Sequence, residues 1–233
     1  MPLFHNIKPD AIFIADSHYN KKRIDFSLFL DKIISKEITT SQLFLMGDMF
    51  DFLAYEIDYF KNINQDVINK INEISNNIEV IYIEGNHDYN LENIFLNTMV
   101  IPRKKQAVLF KLNNTNVLIS HGDIHTPLAY NIYSKIIRSK NFLKFINFID
   151  INYFIAKKVE NMLLNKNICH TFDDFKKFAN TRISKYKLDE QSILIEGHFH
   201  QGKKYKNYIN IPSLACGNKY MQVYKNEFLI KSL

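Results

Sequence analysis

The segment Glu84-Gly85-Asn86-His87-Asp88 decides the reading of this chain. It follows Val80-Ile81-Tyr82-Ile83, a continuous apolar run of the kind that forms a strand buried on both faces. Three consecutive side chains able to bind a metal or move a proton therefore stand at the end of a strand. Gly85 lets the backbone turn sharply there, or approach another group closely. Four more polar clusters follow strand-like runs in the same way. Asp16-Ser17-His18 follows Ala11-Ile12-Phe13-Ile14-Ala15, and Gly47-Asp48-Met49-Phe50-Asp51 follows Gln42-Leu43-Phe44-Leu45-Met46. His121-Gly122-Asp123 follows residues 116–120, and Gly197-His198-Phe199-His200 follows residues 192–196.

Between the early clusters the apolar period changes from strand to helix. Residues 26, 29, 30, 33 and 34 mark one helix. Ile63, Val67, Ile71 and Ile74 mark a second, read as one long amphipathic helix over 57–78. Strand, polar turn and helix in alternation define an α/β fold, whose sites assemble beyond the carboxyl ends of the strands. Residues 106–112 and 116–120 read as strands joined by a turn at Asn113-Asn114-Thr115. The rhythm then stops. Residues 127–190 carry no strand signal and read as a helical insertion within a single domain spanning 1–233. One helix holds Tyr130, Tyr133, Ile136 and Ile137. A second spans 142–164 and is apolar on more than one face. A third holds Phe172, Phe175, Phe178 and Ile183, capped at Thr171 or Asp173. Strands at 192–195, 208–211, 221–224 and 227–230 close the domain.

With 233 residues and 46% hydrophobic side chains, the chain can bury a full core. The formal charge of +6 is concentrated. The segment 127–190 holds 12 Lys/Arg against 6 Asp/Glu, and the remainder holds 18 of each. Such a surface favours phosphorylated substrates, anionic lipid or nucleic acid. Cys169 and Cys216 lack metal-type spacing and imply no disulfide framework, which fits a reducing compartment. Residues 1–9 show no secretory leader, and 142–156 is too interrupted by Lys144, Asn147, Asp150 and Asn152 to span a bilayer. The expected location is the cytoplasm.

The clusters supply seven candidate ligands: Asp16, His18, Asp48, Asn86, His121, His198 and His200. Mixed nitrogen and oxygen donors suit Mn, Fe or Zn better than Ca. Seven are too many for one tetrahedral ion and fit two ions sharing a carboxylate. If the backbone runs extended, Asp16 and His18 face one side together, as do His198 and His200.

The series Asp-x-His, Gly-Asp-x-x-Asp, Gly-Asn-His-Asp, His-Gly-Asp and Gly-His-x-His resembles the calcineurin-like metallophosphoesterase superfamily. The resemblance implies an α/β fold with a two-sheet β-sandwich flanked by helices, and a dinuclear centre of divalent ions, Mn²⁺ first, with Fe or Zn as alternatives. It implies that Asp16, His18 and His200 hold one metal, that Asn86, His121 and His198 hold the other, and that Asp48 bridges them. His87 would protonate the leaving oxygen or hydrogen-bond the phosphoryl group, and Asp88 would orient His87 or a ligand. Within the superfamily the chain is similar to the UDP-2,3-diacylglucosamine diphosphatases of lipid A biosynthesis. The features that carry this are His-Gly-Asp running into a helical insertion, the overall length, and Gly217 shortly before the last strands. The similarity implies cleavage of a pyrophosphate in a nucleotide-sugar lipid, releasing UMP and an acylated sugar phosphate. It further implies an insertion serving as acyl-chain lid, peripheral contact with the cytoplasmic face of the inner membrane, and no nucleic-acid partner. That group carries Arg where this chain has His87, and Glu where it has Asp51. The alternative is a metallophosphoesterase acting on another phosphodiester, nucleotide or phosphoprotein.

Overall fold

The computed structural model describes residues 5–233; residues 1–4, part of the stretch read above for a leader, lie outside it. The first half of the chain forms β1 (His5–Asn6), β2 (Ile12–Ile14), α1 (Asp25–Ile34), β3 (Gln42–Leu45), β4 (Leu53–Ala54), α2 (Asp58–Ile63), α3 (Gln65–Ser75) and β5 (Glu79–Ile83). β6 (Asp88–Tyr89), β7 (Met99–Ile101), β8 (Val108–Leu112) and β9 (Thr115–Ser120) follow. Residues 127–190, read above as an insertion, contribute α4 (Leu128–Ile137), α5 (Lys140–Ile149), α6 (Phe154–Leu164) and α7 (Phe175–Tyr186). The chain closes with β10 (Ile193–Glu196), β11 (Lys203–Tyr205), β12 (Tyr208–Asn210), α8 (Leu214–Gly217), β13 (Lys219–Tyr224) and β14 (Glu227–Ser232).

Two six-stranded sheets result, in the orders β14-β13-β2-β3-β5-β7 and β1-β8-β9-β10-β12-β11. Side-chain alternation explains their stacking. Phe13, Phe44 and Ile81 of the first sheet face Phe110, Val117, Ile119, Ile195 and Ile209 of the second. Their strand neighbours Ile12, Ile14, Leu43, Leu45 and Tyr82 turn the other way, onto Phe26, Phe29 and Leu30 of α1 and Val67 and Ile71 of α3. This is the expected helix-flanked β-sandwich. β2, β3, β5 and β7 run parallel, as do β9, β10 and β12, so the polar clusters gather at strand ends.

Three expected elements differ in detail. The helix over 57–78 is two, because buried Asn64 donates its side-chain amide to the carbonyls of Phe60 (2.8 Å) and Phe52 (3.3 Å) and interrupts the turn. The helix over 142–164 breaks where the Asp150 carboxylate accepts from the backbone N–H groups of Ile155 (2.6 Å) and Ala156 (3.0 Å), capping α6. Asn152 and Tyr153 take left-handed backbone there (φ 54° and 58°). Asp174, rather than Thr171 or Asp173, caps α7, accepting from the Lys177 N–H at 2.9 Å. A fourth difference is a correction. Cys169 and Cys216, 47 residues apart, form a disulfide. Sequence separation hid the pairing, because folding packs the segment between α6 and α7 against α8. Cysteine usage therefore gives no support to a reducing compartment.

The insertion is fastened to the sandwich by buried charge. Arg182 of α7 donates to both carboxylate oxygens of Glu196 on β10, at 2.8 and 2.6 Å, and to the Gly122 carbonyl at 3.1 Å. Arg182 is 5% exposed and Glu196 fully buried. Removing one member of such a pair strands the other in a dry interior. Arg182→Ala is expected to lower unfolding stability by about 3–5 kcal/mol. Arg182→Met with Glu196→Leu should recover much of that, both read from urea denaturation midpoints.

Candidate metal centre

Five of the seven candidate ligands have positive φ: Asp16 (51°), His18 (43°), Asp48 (53°), His198 (63°) and His200 (58°). The backbone is therefore not extended through Asp16-Ser17-His18 or Gly197-His198-Phe199-His200, and alternation is not what aligns these pairs. Left-handed backbone is disfavoured for side chains with a Cβ and persists only where the surroundings over-determine it. Here they do. Asp16 N–H donates to the Gly47 carbonyl (3.1 Å), and His18 N–H to the Asp48 carbonyl (3.0 Å). His198 N–H donates to Asp16 Oδ2 (2.8 Å). Three strand ends are thus stitched into one rim.

Beneath the rim, the fully buried Asp88 carboxylate accepts from the backbone N–H groups of Asp48 (3.0 Å), Met49 (2.6 Å) and Gly85 (2.9 Å), and from the Tyr82 hydroxyl (2.7 Å). Asp88 lies below the loops and holds Asp48 in place. Gly85 serves close approach: a Cβ there would strike the Asp48 carboxylate and backbone nitrogen.

The seven candidates converge. Ligand atoms of Asp16, His18 and His200 lie within 4.8 Å of one another, as do those of Asp48, His121 and His198. Asn86 Oδ1 stands 3.2 Å from His121 Nε2, which is 3.5 Å from Asp48 Oδ2. His18 Nε2 is 4.0 Å from the same Asp48 oxygen. One carboxylate thus faces both groups. A third grouping, His18, Asp48 and His87, also forms within 4.8 Å. His87 Nδ1 donates to the Asp51 carbonyl (2.6 Å), and Lys166 Nζ lies 3.4 Å from its Nε2.

The histidines are held by the nitrogen that faces outward. His121 Nδ1 donates to the Met46 carbonyl (2.9 Å). His18 Nδ1 lies 3.4 Å from Asp51 Oδ1, and Asp51 is gripped by Arg23 Nη2 at 2.7 and 2.6 Å and by Asn20 Nδ2 at 2.5 Å. Such partners fix the tautomer that presents a bare Nε2 to a metal. Asp16 Oδ1 completes no hydrogen bond, although His200 Nε2 stands at 3.5 Å. Buried polar atoms left short of partners suit a cation more than a packed interior.

The electrostatics agree. Burial would push the Asp48 carboxyl up, but the His121 and His87 rings override it and hold it well below the usual range. Burial would push His121 down, but the Asp48 carboxylate carries it up to about 10. A proton on His121 occupies the place a metal cation would take. His198 goes the other way, to about 4, through burial and then the charge on His121, so it stands neutral and ready to bind.

Several participants had no role assigned from the sequence. Asp123, in the His-Gly-Asp segment, is fully buried and held by Arg103 Nε (2.8 Å) and Arg138 Nη2 (2.9 Å). Arg138, on the insertion, also donates to the Gly85 carbonyl (2.8 Å). Lys166, Arg138 and Arg23 sit outside any motif, and only the folded chain brings them to the rim.

With this fold and rim in place, the class of protein follows. A sequence model of the calcineurin-like phosphoesterase family matches residues 11–202, and the chain belongs to that family. It is a metal-dependent phosphoesterase. The chain is 24% identical over 219 residues to a UDP-2,3-diacylglucosamine hydrolase of Histophilus somni (strain 129Pt), covering 89% of this chain and 91% of the relative. It is 25% identical over 129 residues to one of the same name from Shewanella sp. (strain ANA-3), covering 54% of each. Among solved structures, a phosphoesterase from E. coli superposes with a TM-score of 0.50 at 13% identity, over 96% of this chain and 92% of that one, a likeness of fold alone.

Glu84 gives the rim's underside a measurable pH response. Its Oε1 accepts from the Leu91 N–H at 3.0 Å. Burial, opposed by that bond and by Arg138, moves its carboxyl from an ordinary 4.5 up to about 7. The folded chain then keeps a proton that the unfolded chain has lost. The contribution is fully present below about pH 4.5 and is lost as pH rises to 7, by at most ~1.4 kcal/mol per unit. Glu84→Gln keeps the acceptor and loses the titration. It is expected to be more stable than the parent at pH 8 and no more stable at pH 4.5, compared by urea denaturation.

Proposed function

We propose that this chain hydrolyses the pyrophosphate of UDP-2,3-diacylglucosamine to UMP and 2,3-diacylglucosamine 1-phosphate. In this reading Asp16, His18 and His200 hold one divalent ion and Asn86, His121 and His198 a second, with Asp48 between them and Mn²⁺ the preferred metal. The observation that carries the substrate is an apolar cavity of about 190 Å³ beside the rim. Phe52 and Tyr89 line it from the site side, and Ile137, Phe142, Leu143 and Ile146 line it from the insertion. Phe52 follows Asp51 and Tyr89 follows Asp88, so an apolar tail in the cavity leaves its polar head at the rim. The names of the relatives support the same substrate.

The outer face of the insertion supports contact with a membrane. Leu128, Phe148, Ile151 and Phe154 are between 73% and 85% exposed, far more apolar surface than isolated side chains explain. The insertion's excess of Lys and Arg would attract an anionic bilayer. No described helix is long and apolar enough to cross one.

When bound, the two ions polarise phosphoryl oxygens and lower the pKa of water. The chain's own residues supply the rest. Asp48, held from below by Asp88, keeps the two ligand groups at fixed separation. His87, its Nδ1–H fixed on the Asp51 carbonyl, directs Nε2 at the rim. Burial first lowers the basicity of its ring. The adjacent Lys166 ammonium supplies positive charge there, suited to a phosphoryl oxygen or the departing uridylate. Asp51, Arg23 and Asn20 keep the His18 ring from turning.

Elemental analysis of the purified, metal-loaded protein is expected to give about two divalent ions per chain. Asp48→Ala should lose both ions and all activity. His87→Ala should keep the ions and lose roughly a hundredfold or more in turnover. One ion per chain in a fully active sample would sink the dinuclear arrangement, and normal turnover of His87→Ala would return that residue to a structural part.

The substrate is tested by UMP release from UDP-2,3-diacylglucosamine with Mn²⁺, beside UDP-glucosamine and a generic phosphodiester. Each methylene buried in the cavity is worth about 0.8 kcal/mol, so two ordered methylenes already exceed tenfold in affinity. kcat/KM should fall steeply as the acyl chains shorten, and UDP-glucosamine should be a very poor substrate. Equal kcat/KM with and without acyl chains, below micelle-forming concentrations, would reject the acyl-binding reading.

A further inference from the structure

The segment between α6 and α7 crosses the rim and touches both of its sides. At one end Lys166 reaches His87. Two residues on, Ile168 is buried. The His170 ring lies nearly parallel to that of His200, 16° apart with centroids at 6.0 Å. Gln201, the next residue after His200, accepts from Phe172 N–H (2.8 Å) and donates to the His170 carbonyl (3.0 Å). Between these contacts sits Cys169, bonded to Cys216.

Cys216 is rooted in the opposite wall. Its short helix α8 follows Ser213, whose hydroxyl donates to the Asp16 carbonyl at 2.8 Å. Leu214 N–H donates to the Ala15 carbonyl and Ala215 N–H to that of Asp16. Cys216 Sγ stands 3.6 Å from His200 Nδ1. The disulfide therefore joins the short helix that is hydrogen-bonded to the Asp16 loop to the strap that carries His170, beside the ring of His200. His200 Nε2 faces Asp16 Oδ1 at 3.5 Å, so its outer nitrogen is fixed by groups that the disulfide holds.

We infer that the Cys169–Cys216 disulfide is a positioning device for His200, and that its reduction weakens metal binding on the Asp16–His18–His200 side of the rim. The inference rests on the reading of His200 as a metal ligand. An outer partner of a ligating histidine fixes its tautomer and orientation, and losing such a partner typically costs ten- to a hundredfold in metal affinity. The reductant is a dithiol. The S–S bond breaks as two electrons and two protons arrive, each cysteine leaves as a thiol, and the dithiol closes to its own disulfide. The strap then keeps the Gln201 bonds, the Lys166 contact and the ring contacts of Phe172, while Cys216 Sγ and the His170 ring are free to move from the ring of His200. The Asp48–Asn86–His121–His198 side has its own anchors, among them the Met46 carbonyl on His121, and does not depend on this bond.

Mn²⁺ suits the test, because hard cations bind thiols poorly and a freed Cys216 would not substitute for the lost anchor. Mn²⁺ titrations followed by electron paramagnetic resonance would compare four samples of the full chain: oxidised, reduced by a dithiol and desalted without oxygen, re-oxidised, and Cys169→Ser. One of two sites should weaken about ten- to a hundredfold on reduction and in Cys169→Ser, recover on re-oxidation, and leave the second site unchanged. Should Cys169→Ser fail to fold, the reversible pair of wild-type states still decides. Equal affinities at both sites in oxidised and reduced protein would overturn the inference and leave the metal centre standing. A matched loss at both sites would also overturn it, since that is general loosening. Failure of the oxidised protein to bind Mn²⁺ at all would overturn both readings.

Discussion

The rim hangs on the carboxylate of Asp88. It accepts from backbone N–H groups of the loop after β3 and of the loop after β5, and from the Tyr82 hydroxyl rising out of β5. Burial, with the nearby Asp48 charge, raises its carboxyl, while the Tyr82 and Gly85 donors pull the other way. Without it, several buried donors would be orphaned at once, each costing about 1–3 kcal/mol. Its consequence is positional. Asp48 is forced into left-handed backbone with its side chain upright between two histidine groups. The loops then meet so closely that Gly47 and Gly85 are the only fit, since a Cβ on Gly47 would run into the His121 ring at 2.5 Å.

This explains what the sequence could and could not carry. The sandwich was legible because its strands are short, continuous apolar runs with two distinct faces, as Phe13 against Ile12 and Ile14 illustrates. The candidate ligands were legible as strand-end clusters, because side chains of those types recur in the same order. Their backbone was not. Extended tripeptides and left-handed ones have the same letters, and what selects the second is a set of bonds to residues far away in sequence, such as His198 N–H to Asp16. Helix ends were misplaced for a related reason. Asn64 and Asp150 end helices through side-chain bonds that an apolar period does not register. The disulfide and the roles of Arg138, Lys166 and Arg182 depend on how the insertion docks, and no local pattern encodes that.

Polar contacts of fixed geometry join the insertion to the rim, beside the Phe172 and Phe178 rings that meet Phe199. Arg138 holds Asp123 and the Gly85 carbonyl, Arg182 holds Glu196 and the Gly122 carbonyl, and Lys166 meets His87. Arg182 and Arg138 donate to backbone carbonyls beside candidate ligands, Gly122 next to His121 and Gly85 next to Asn86. A shift of the insertion would therefore be felt at the ligands without any direct contact to an ion.

That division of labour bears on specificity. Directional bonds from Arg138 and Arg182 fix α4 and α7 at the rim, while Phe175 and Ala179 of α7 pack on Leu194 and Tyr208 of the second sheet. Leu143 and Ala156 close a small core with Phe60 and Tyr89, while Phe148, Ile151 and Phe154 stay in solvent. In an ordinary helical subdomain such side chains would be buried, at about 1.5–3 kcal/mol each. Leaving them outside is a standing cost, and a chain that carries it gains when something apolar covers them. Two features thus share one insertion: arginines bonded to carbonyls beside the rim, and an apolar face left exposed.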